Sequence, residues 1–234
     1  MTEIGEKQSL SFGGKVIEIP EPFRFPKIAV IDDETVLLVN SRARTEKNAF
    51  IITSAGEVRA QFHAGDAIQN VLASDKFIVV TYFDESALTS SGIEGNGVAI
   101  FDVRGEFLFG YRDLFGDDAV DIADCYAACW ADDNRLLFFP YTEFPLVDFD
   151  LEKKTQTIWE PPGVVSGSGS ITAVGENVFF HSPYRDDEGI YQWQIGSKLA
   201  KRIGSHSGTL RGITNGIFLA VEKDGYALLS PPEI

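Results

Sequence analysis

The sequence predicts an all-β fold built from five copies of one small antiparallel sheet. The first observation is a set of dense apolar strands at 35–40, 77–82, 135–140, 178–182 and 217–221. With Leu37, Val79, Leu137, Phe179 and Leu219 taken as equivalent, they recur at intervals of about 42, 58, 42 and 40 residues. The second is that each dense strand is flanked by shorter β-patterned runs and polar turns, enough for four strands per repeat. The third is that no window sustains a helical period bounded by caps, so neither a helix bundle nor an alternating α/β chain fits.

The first repeat opens on 27–32, turns at Asp33-Glu34 into 35–40, crosses a basic loop at 41–47 and continues through 49–53. Ser54 to Glu57 turn it into 58–62, and Gly56 suits the positive φ of so tight a hairpin. The second repeat has 67–74, 77–83, 97–102 and 107–111, with Val103 to Glu106 as the matching turn. Those two hairpins share an Ile, a Gly-Glu pair and the β-former that follows it, the clearest internal repeat in the chain. The third covers 121–130, 135–141, 144–150 and 155–159, and the fourth 170–174, 178–182, 189–194 and 199–203. The fifth has only 209–214, 217–221 and 225–229 before Pro231-Pro232. A spare strand at 14–19, ending at Pro20, is expected to join that last sheet and pair two open edges. Residues 1–13 are expected to be flexible, and 1–234 reads as a single domain. Two insertions, 84–96 and 112–120, lengthen the second interval. Such loops often gather on a working face, although added loop length is also tolerated at little cost.

Bulk properties narrow the partners. Eighteen phenylalanines stand against one methionine, which suits flat rings filling the wedges between packed sheets. The formal charge is −15 and the pI about 4.5. Such a surface repels phosphate backbones and anionic membranes, so neither direct nucleic-acid binding nor membrane attachment is expected. It favours and steers a basic partner. Met1 to Lys7 lack the basic-then-apolar pattern of a secretory signal, and no apolar run approaches the ~18–20 residues of a membrane helix. Cys125 and Cys129, on one strand, would lie about 13 Å apart, beyond disulfide reach. A cytoplasmic protein with reduced, buried thiols is the expectation.

An all-strand repeat near forty residues resembles the β-propeller superfold, in which each repeat is one blade. The resemblance implies a single five-bladed β-propeller of four-stranded antiparallel blades, closed by the N-terminal strand joining the last blade. The layout is similar to that of WD-repeat and kelch propellers, without their signatures. Cys129-Trp130 is followed by Ala131-Asp132 where a Trp-Asp pair would stand, and Gly13-Gly14 lies outside the kelch position. Five-bladed propellers include glycosidases, sugar-binding lectins and a calcium-dependent nucleotidase. None of their motifs is matched, so no functional residue carries over.

In such a fold the inner strands and the loops entering them converge on a central mouth, here offering His63, Asp66, Asp121, Asp124 and Arg211. Loops between second and third strands open on the same face, and three of them place carboxylates after an aromatic: Tyr82 with Asp84, Tyr141 with Glu143, and Tyr184 with Asp186. With Asp117 and Asp118 of the second insertion they would make an acidic rim carrying stacking platforms for a protein. The plainer reading is that Tyr often ends strands and Asp often starts turns. From Asp113 to Asp133 there are seven Asp and no Lys or Arg. This stretch lacks the Asp-x-Asp-x-Asp-Gly order of a calcium loop, so it reads as solvated surface or a face for a basic partner before a metal site. His63, His181 and His206 show no ligand spacing, and His181, inside a dense strand, reads as a hydrogen-bonded core histidine. Ser166 to Ser170 are glycine-rich without the Lys-Ser/Thr end of a phosphate loop, and no Gly-x-Ser-x-Gly elbow stands between strand and helix. No cofactor is expected.

These readings converge on a non-catalytic binding protein presenting an acidic, tyrosine-bearing face to a protein, in concrete form an inhibitor or immunity-type protein for a basic partner. The alternative is a carbohydrate-binding or glycoside-hydrolysing propeller. It would use mouth carboxylates such as Asp66, Asp121 and Asp124, since that chemistry needs two about 5–10 Å apart. A small molecule or glycan in the mouth stays open.

Overall fold

The computed structural model describes residues 8–19, 23–42, 46–84, 92–184, 186–222 and 225–230. They gather into two compact units, Met1–Ala119 and Val120–Ile234. Every sheet is antiparallel, and in each the strands lie side by side in chain order. Among the described residues no helix is long and apolar enough to cross a membrane.

The first unit starts with a hairpin of β1 (Ser9–Phe12) and β2 (Lys15–Glu18), paired Leu10 to Ile17 and Phe12 to Lys15. Gly13 and Gly14 form its two-residue turn at φ 59° and 72°, the doubly positive geometry that the twist of a tight hairpin demands and that glycine adopts without strain. Blade 1 follows as β3 (Pro26–Asp32), β4 (Thr35–Asn40), β5 (Ala49–Thr53) and β6 (Val58–Phe62). Blade 2 is β7 (Ile68–Ala73), β8 (Phe77–Tyr82), β9 (Val98–Asp102) and β10 (Phe107–Gly110). The dense strand of blade 1 buries both of its faces, which is why it reads as a continuous apolar run. Leu37 and Val39 pack with Ile51, Ile78, Val80 and Phe101 towards blade 2. Val36 and Leu38, one residue out of phase, pack with Phe50, Ile52, Phe23 and Ile17 under the hairpin.

That second cluster corrects the expected closure. Among the described residues, β2 pairs with β1 and with no strand of the last blade, and its Ile17 covers the face of blade 1 turned away from blade 2. A two-residue turn closes a hairpin at far less entropic cost than a reach across the chain, and Leu10, Phe12 and Ile17 find apolar cover at once. Gln8 fixes the arrangement, donating from Nε2 to the Phe23 carbonyl and accepting from the Phe23 N–H at 2.9 and 2.7 Å. Residues 9–12, expected to be flexible, are thus a strand; residues 1–7 and Pro20 lie outside the described residues.

The insertion at 112–120 folds as helix α1 (Tyr111–Phe115) and a 3-10 turn, Gly116–Asp118. It is tied to the end of the other insertion: Asn96 accepts from the Asp113 N–H at 2.8 Å and donates to the Asp113 carboxylate at 3.1 Å. A Cβ on Gly110 would lie 1.9 Å from the Asn96 side chain, so this clasp requires glycine there.

The second unit contains blade 3, with β11 (Asp124–Trp130), β12 (Arg135–Tyr141), β13 (Leu146–Asp150) and β14 (Thr155–Trp159). Blade 4 has β15 (Ser170–Val174), β16 (Asn177–His181), β17 (Gly189–Gln194) and β18 (Ala200–Ser205). Blade 5 has β19 (Leu210–Gly212), β20 (Phe218–Glu222) and β21 (Gly225–Leu229). It is three-stranded among the described residues, against the four expected once the N-terminal strand had joined it. Cys129, Leu137, Phe139, Ile171, Phe180 and Trp193 pack between blades 3 and 4, and Phe179, Leu210, Phe218 and Ala220 between blades 4 and 5. Cys125 and Cys129 are buried and not disulfide-bonded, and burial pushes the Cys129 thiol far up from its ordinary pKa.

Candidate functional site

The sequence-marked residues concentrate at one end of blade 3. Tyr141 closes β12 opposite Asp124, and its carbonyl accepts from the Ala123 N–H at 3.1 Å. The register between β11 and β12 shifts between Cys125 and Ala127, a bulge that places Tyr126 out of the regular alternation. Its ring lies against that of Tyr141, centroids 5.9 Å apart and planes 18° from parallel. Phe144 completes the group, 5.3 Å from Tyr126 and 5.5 Å from Tyr141. It does so from a φ of +57°, a conformation bulky side chains seldom adopt and that surrounding contacts must hold. Phe139 and Phe180 continue the ring contacts inward to Trp193, with centroids 5.4, 5.3 and 6.4 Å apart in turn. The platform therefore stands on a buried aromatic column, while Tyr141 keeps 41% of its surface exposed.

Carboxylates lie close to it along the chain: Asp124 is paired with Tyr141 across the two strands, and Glu143 follows Tyr141 by two residues. Asp121 and Glu143 are exposed and Asp124 is half-buried. The basic residue of β12, Arg135, stands at the far end of that strand, six residues or about 20 Å from Tyr141. It is bound there to Asp148 by two hydrogen bonds of 2.7 and 2.5 Å. A partly exposed tyrosine stack with carboxylates in the adjoining segments is suited to a cation, above all a planar guanidinium that can stack and pair at once.

Blade 4 adds Tyr184, 92% exposed, with Asp186 exposed nearby; Arg185 lies outside the described residues. The next carboxylate, Asp187, accepts from the Tyr191 hydroxyl and lies 3.8 Å from Arg202, so part of its charge is already answered.

In the first unit Tyr82 does not form a platform. It is fully buried between blades 1 and 2, its hydroxyl donating to the Ala64 carbonyl at 2.7 Å. Burial first, and the charge of Glu94 second, push its pKa well up. Gly65, at φ +86°, leaves room for the ring, since a Cβ there would come within 2.8 Å of it. The neighbour, Phe83, faces outward instead and carries Arg42, whose guanidinium carbon is 4.8 Å from the ring centroid. Arg42 also lies 3.6 Å from Asp66. Asp84, Asp117 and Asp118 are exposed.

Of the other mouth candidates, His63 is exposed. Arg211 on β19 reaches solvent yet is crowded enough that desolvation lowers its pKa. Asp121 and Asp124 belong to the blade 3 group, and Asp66 to the pair with Arg42. Among the described residues no three metal-ligating side chains gather. Sequence reasoning missed Tyr126, Phe144 and Arg42. An inner-strand tyrosine gave no sign of the bulge, but the cationic loop 41–47 beside an aromatic-acidic strand end was a readable signal for Arg42.

No protein-family model matches the chain, and no curated protein matches it either. Solved structures do. Virginiamycin B lyase from Staphylococcus aureus superposes with a TM-score of 0.58 at 13% identity, over 88% of this chain and 65% of that one. The fold is a five-bladed β-propeller. A streptogramin B lyase gives 0.54 at 14% identity over 92% of this chain and 72% of its own. The nidogen/laminin complex gives 0.56 at 12% over 86% and 73%. The chain thus spans a little under two thirds of the S. aureus lyase. At these identities the likeness speaks for the fold alone.

Proposed function

We propose that this propeller is a non-catalytic binding protein whose blade 3 end receives a basic side chain, foremost an arginine, from a protein partner. The observation that carries the reading is the Tyr126–Tyr141 stack, half in solvent, with Asp124 paired to Tyr141 and Asp121 and Glu143 exposed in the adjoining segments. Arg42 supplies an internal precedent, because the chain itself seats a guanidinium between an aromatic ring and a carboxylate at Phe83 and Asp66. The net charge of −15 would accelerate the encounter with a basic protein and make it salt-sensitive. Asp84, Asp117, Asp118, Tyr184 and Asp186 serve as further exposed contacts, and Tyr82 is withdrawn from that set. Binding to another protein is consistent with one structure of similar fold, that of nidogen in complex with laminin. An inhibitor or immunity-type role is the concrete form, in which the acidic face masks a basic partner.

The test is affinity capture from native lysate at low and high salt, using the wild type and Tyr141→Ala/Glu143→Lys. The reading expects a basic protein retained by the wild type, weakened by salt and lost with the variant. Identical captured sets for both baits would refute it.

A further inference from the structure

Three of the six buried side-chain atoms that no hydrogen bond reaches among the described residues lie together on one face of blade 4. They are Ser170 Oγ, Thr172 Oγ1 and His181 Nδ1, on residues 3%, 0% and 0% exposed. Ser170 pairs directly with His181, and Thr172 with Phe179, so alternation puts all three on the face that carries Phe179. Cβ atoms of directly opposed residues stand about 4.5–5.5 Å apart. That face is turned towards blade 5, since Phe179 packs with Leu210, Phe218 and Ala220. The blades approach closely here: the Gly216 N–H donates to the Ala173 carbonyl at 2.8 Å, and a Cβ on Gly212 would fall 1.6 Å from the Ile171 carbonyl oxygen.

The chemistry of His181 fixes what an occupant must offer. Its Nε2 lies 3.1 Å from the His206 carbonyl oxygen, which can only accept, so Nε2 carries the proton. Nδ1 of the neutral ring is then an acceptor, and its occupant must donate. The two hydroxyls can each donate and accept. Buried polar groups are almost always satisfied, by protein or by ordered water, because leaving them unpaired forfeits their hydration. One small molecule that donates and accepts, with two to four polar neighbours, meets all three demands.

We infer that the joint between blades 4 and 5 contains a buried hydration site, in which ordered water donates to His181 Nδ1 and bonds the hydroxyls of Ser170 and Thr172. The water joins groups of blade 4 to one another at the point where His181 also grips the 205–209 connection through His206. The joint is sealed by apolar packing at its Phe179 end and by water at its His181 end. The inference stands independently of any partner.

The sign of a stability change tests it. Thr172→Val and Ser170→Ala each remove a hydroxyl with little change of shape. At a hydrated site each takes a partner from the water, and the thermal midpoint falls by about 2–4 °C. At a dry site each removes an unpaired buried hydroxyl, and the midpoint rises, which overturns the proposal. A crystal structure at about 1.5 Å resolution supplies the second readout: an ordered water within hydrogen-bond distance of Nδ1 is expected. A site without such density overturns the proposal even if the variants fail to fold.

Discussion

Tyr141 and Tyr126 lie ring against ring, 5.9 Å apart and 18° from parallel, although they come from adjacent strands whose register slips between them. The slip is what makes the pair. A regular ladder would place Tyr126 by strict alternation, and the bulge re-aims it. The stack should matter to binding more than to folding, because Tyr141 is partly exposed at a strand end. Tyr141→Ala is expected to shift the unfolding free energy by about 1 kcal/mol or less while abolishing capture of a basic partner. Urea denaturation and capture on the same sample separate the two effects.

Tyr82 should behave in the opposite way. Tyr82→Phe removes the hydroxyl bonded to the Ala64 carbonyl and is expected to cost about 1–3 kcal/mol, because that acceptor stays buried. Tyr82→Ala should cost about 3–5 kcal/mol, as large core truncations do. Partner capture by the folded fraction of Tyr82→Phe is expected to match the wild type.

The hairpin correction has a local signature. Ile17→Ala is expected to cost about 2–5 kcal/mol and to loosen the cluster it caps, around Val36, Leu38, Phe50 and Ile52. Amide hydrogen exchange should show lost protection first in β4 and β5. Loss confined to β20 and β21 would instead return the N-terminal strand to the last blade.

Acid should weaken the fold in part through His181. Burial is the main cause that lowers its pKa from the usual 6.5, and the His206 ring adds to it; the His206 carbonyl and the charge of Glu188 act the other way. As pH falls through about 6.5, the unfolded chain takes up a proton that the folded one resists, so folding loses free energy; well above that value nothing is lost. Denaturation midpoints measured from about pH 7.5 to about pH 5.5 should fall, and His181→Phe should flatten that slope even if its plateau is lower.

Much of the fold was legible because the second strand of each of the first four blades is buried on both faces and therefore announces itself as a nearly unbroken apolar run. Leu37 with Leu38 shows why: one faces blade 2 and the other the hairpin. The hairpin escapes the sequence reading because a three-stranded final blade calls for a further strand, whereas Gly13-Gly14, outside the repeat, marks a two-residue turn that pairs 9–12 with 15–18 locally. The site was legible in composition and not in geometry. Tyr82, Tyr141 and Tyr184 follow one pattern in sequence, yet one is core and two are surface. What separates them is packing: Gly65 opens a slot for Tyr82 beside the Ala64 carbonyl, a long-range contact that no local pattern reveals.

The most direct test of the central claim separates the blade 3 face from overall charge. Asp121→Lys/Glu143→Lys and Asp33→Lys/Glu34→Lys all replace exposed carboxylates, and each pair moves the formal charge from −15 to −11, since every reversal adds two. Association and dissociation rates for the captured partner would be measured with both variants. The account predicts that the first pair slows association and speeds dissociation by roughly tenfold or more, about 1.4 kcal/mol, while the second pair leaves dissociation unchanged. Equal effects from the two pairs would mean that net charge alone governs binding, and would contradict a site at Tyr126 and Tyr141.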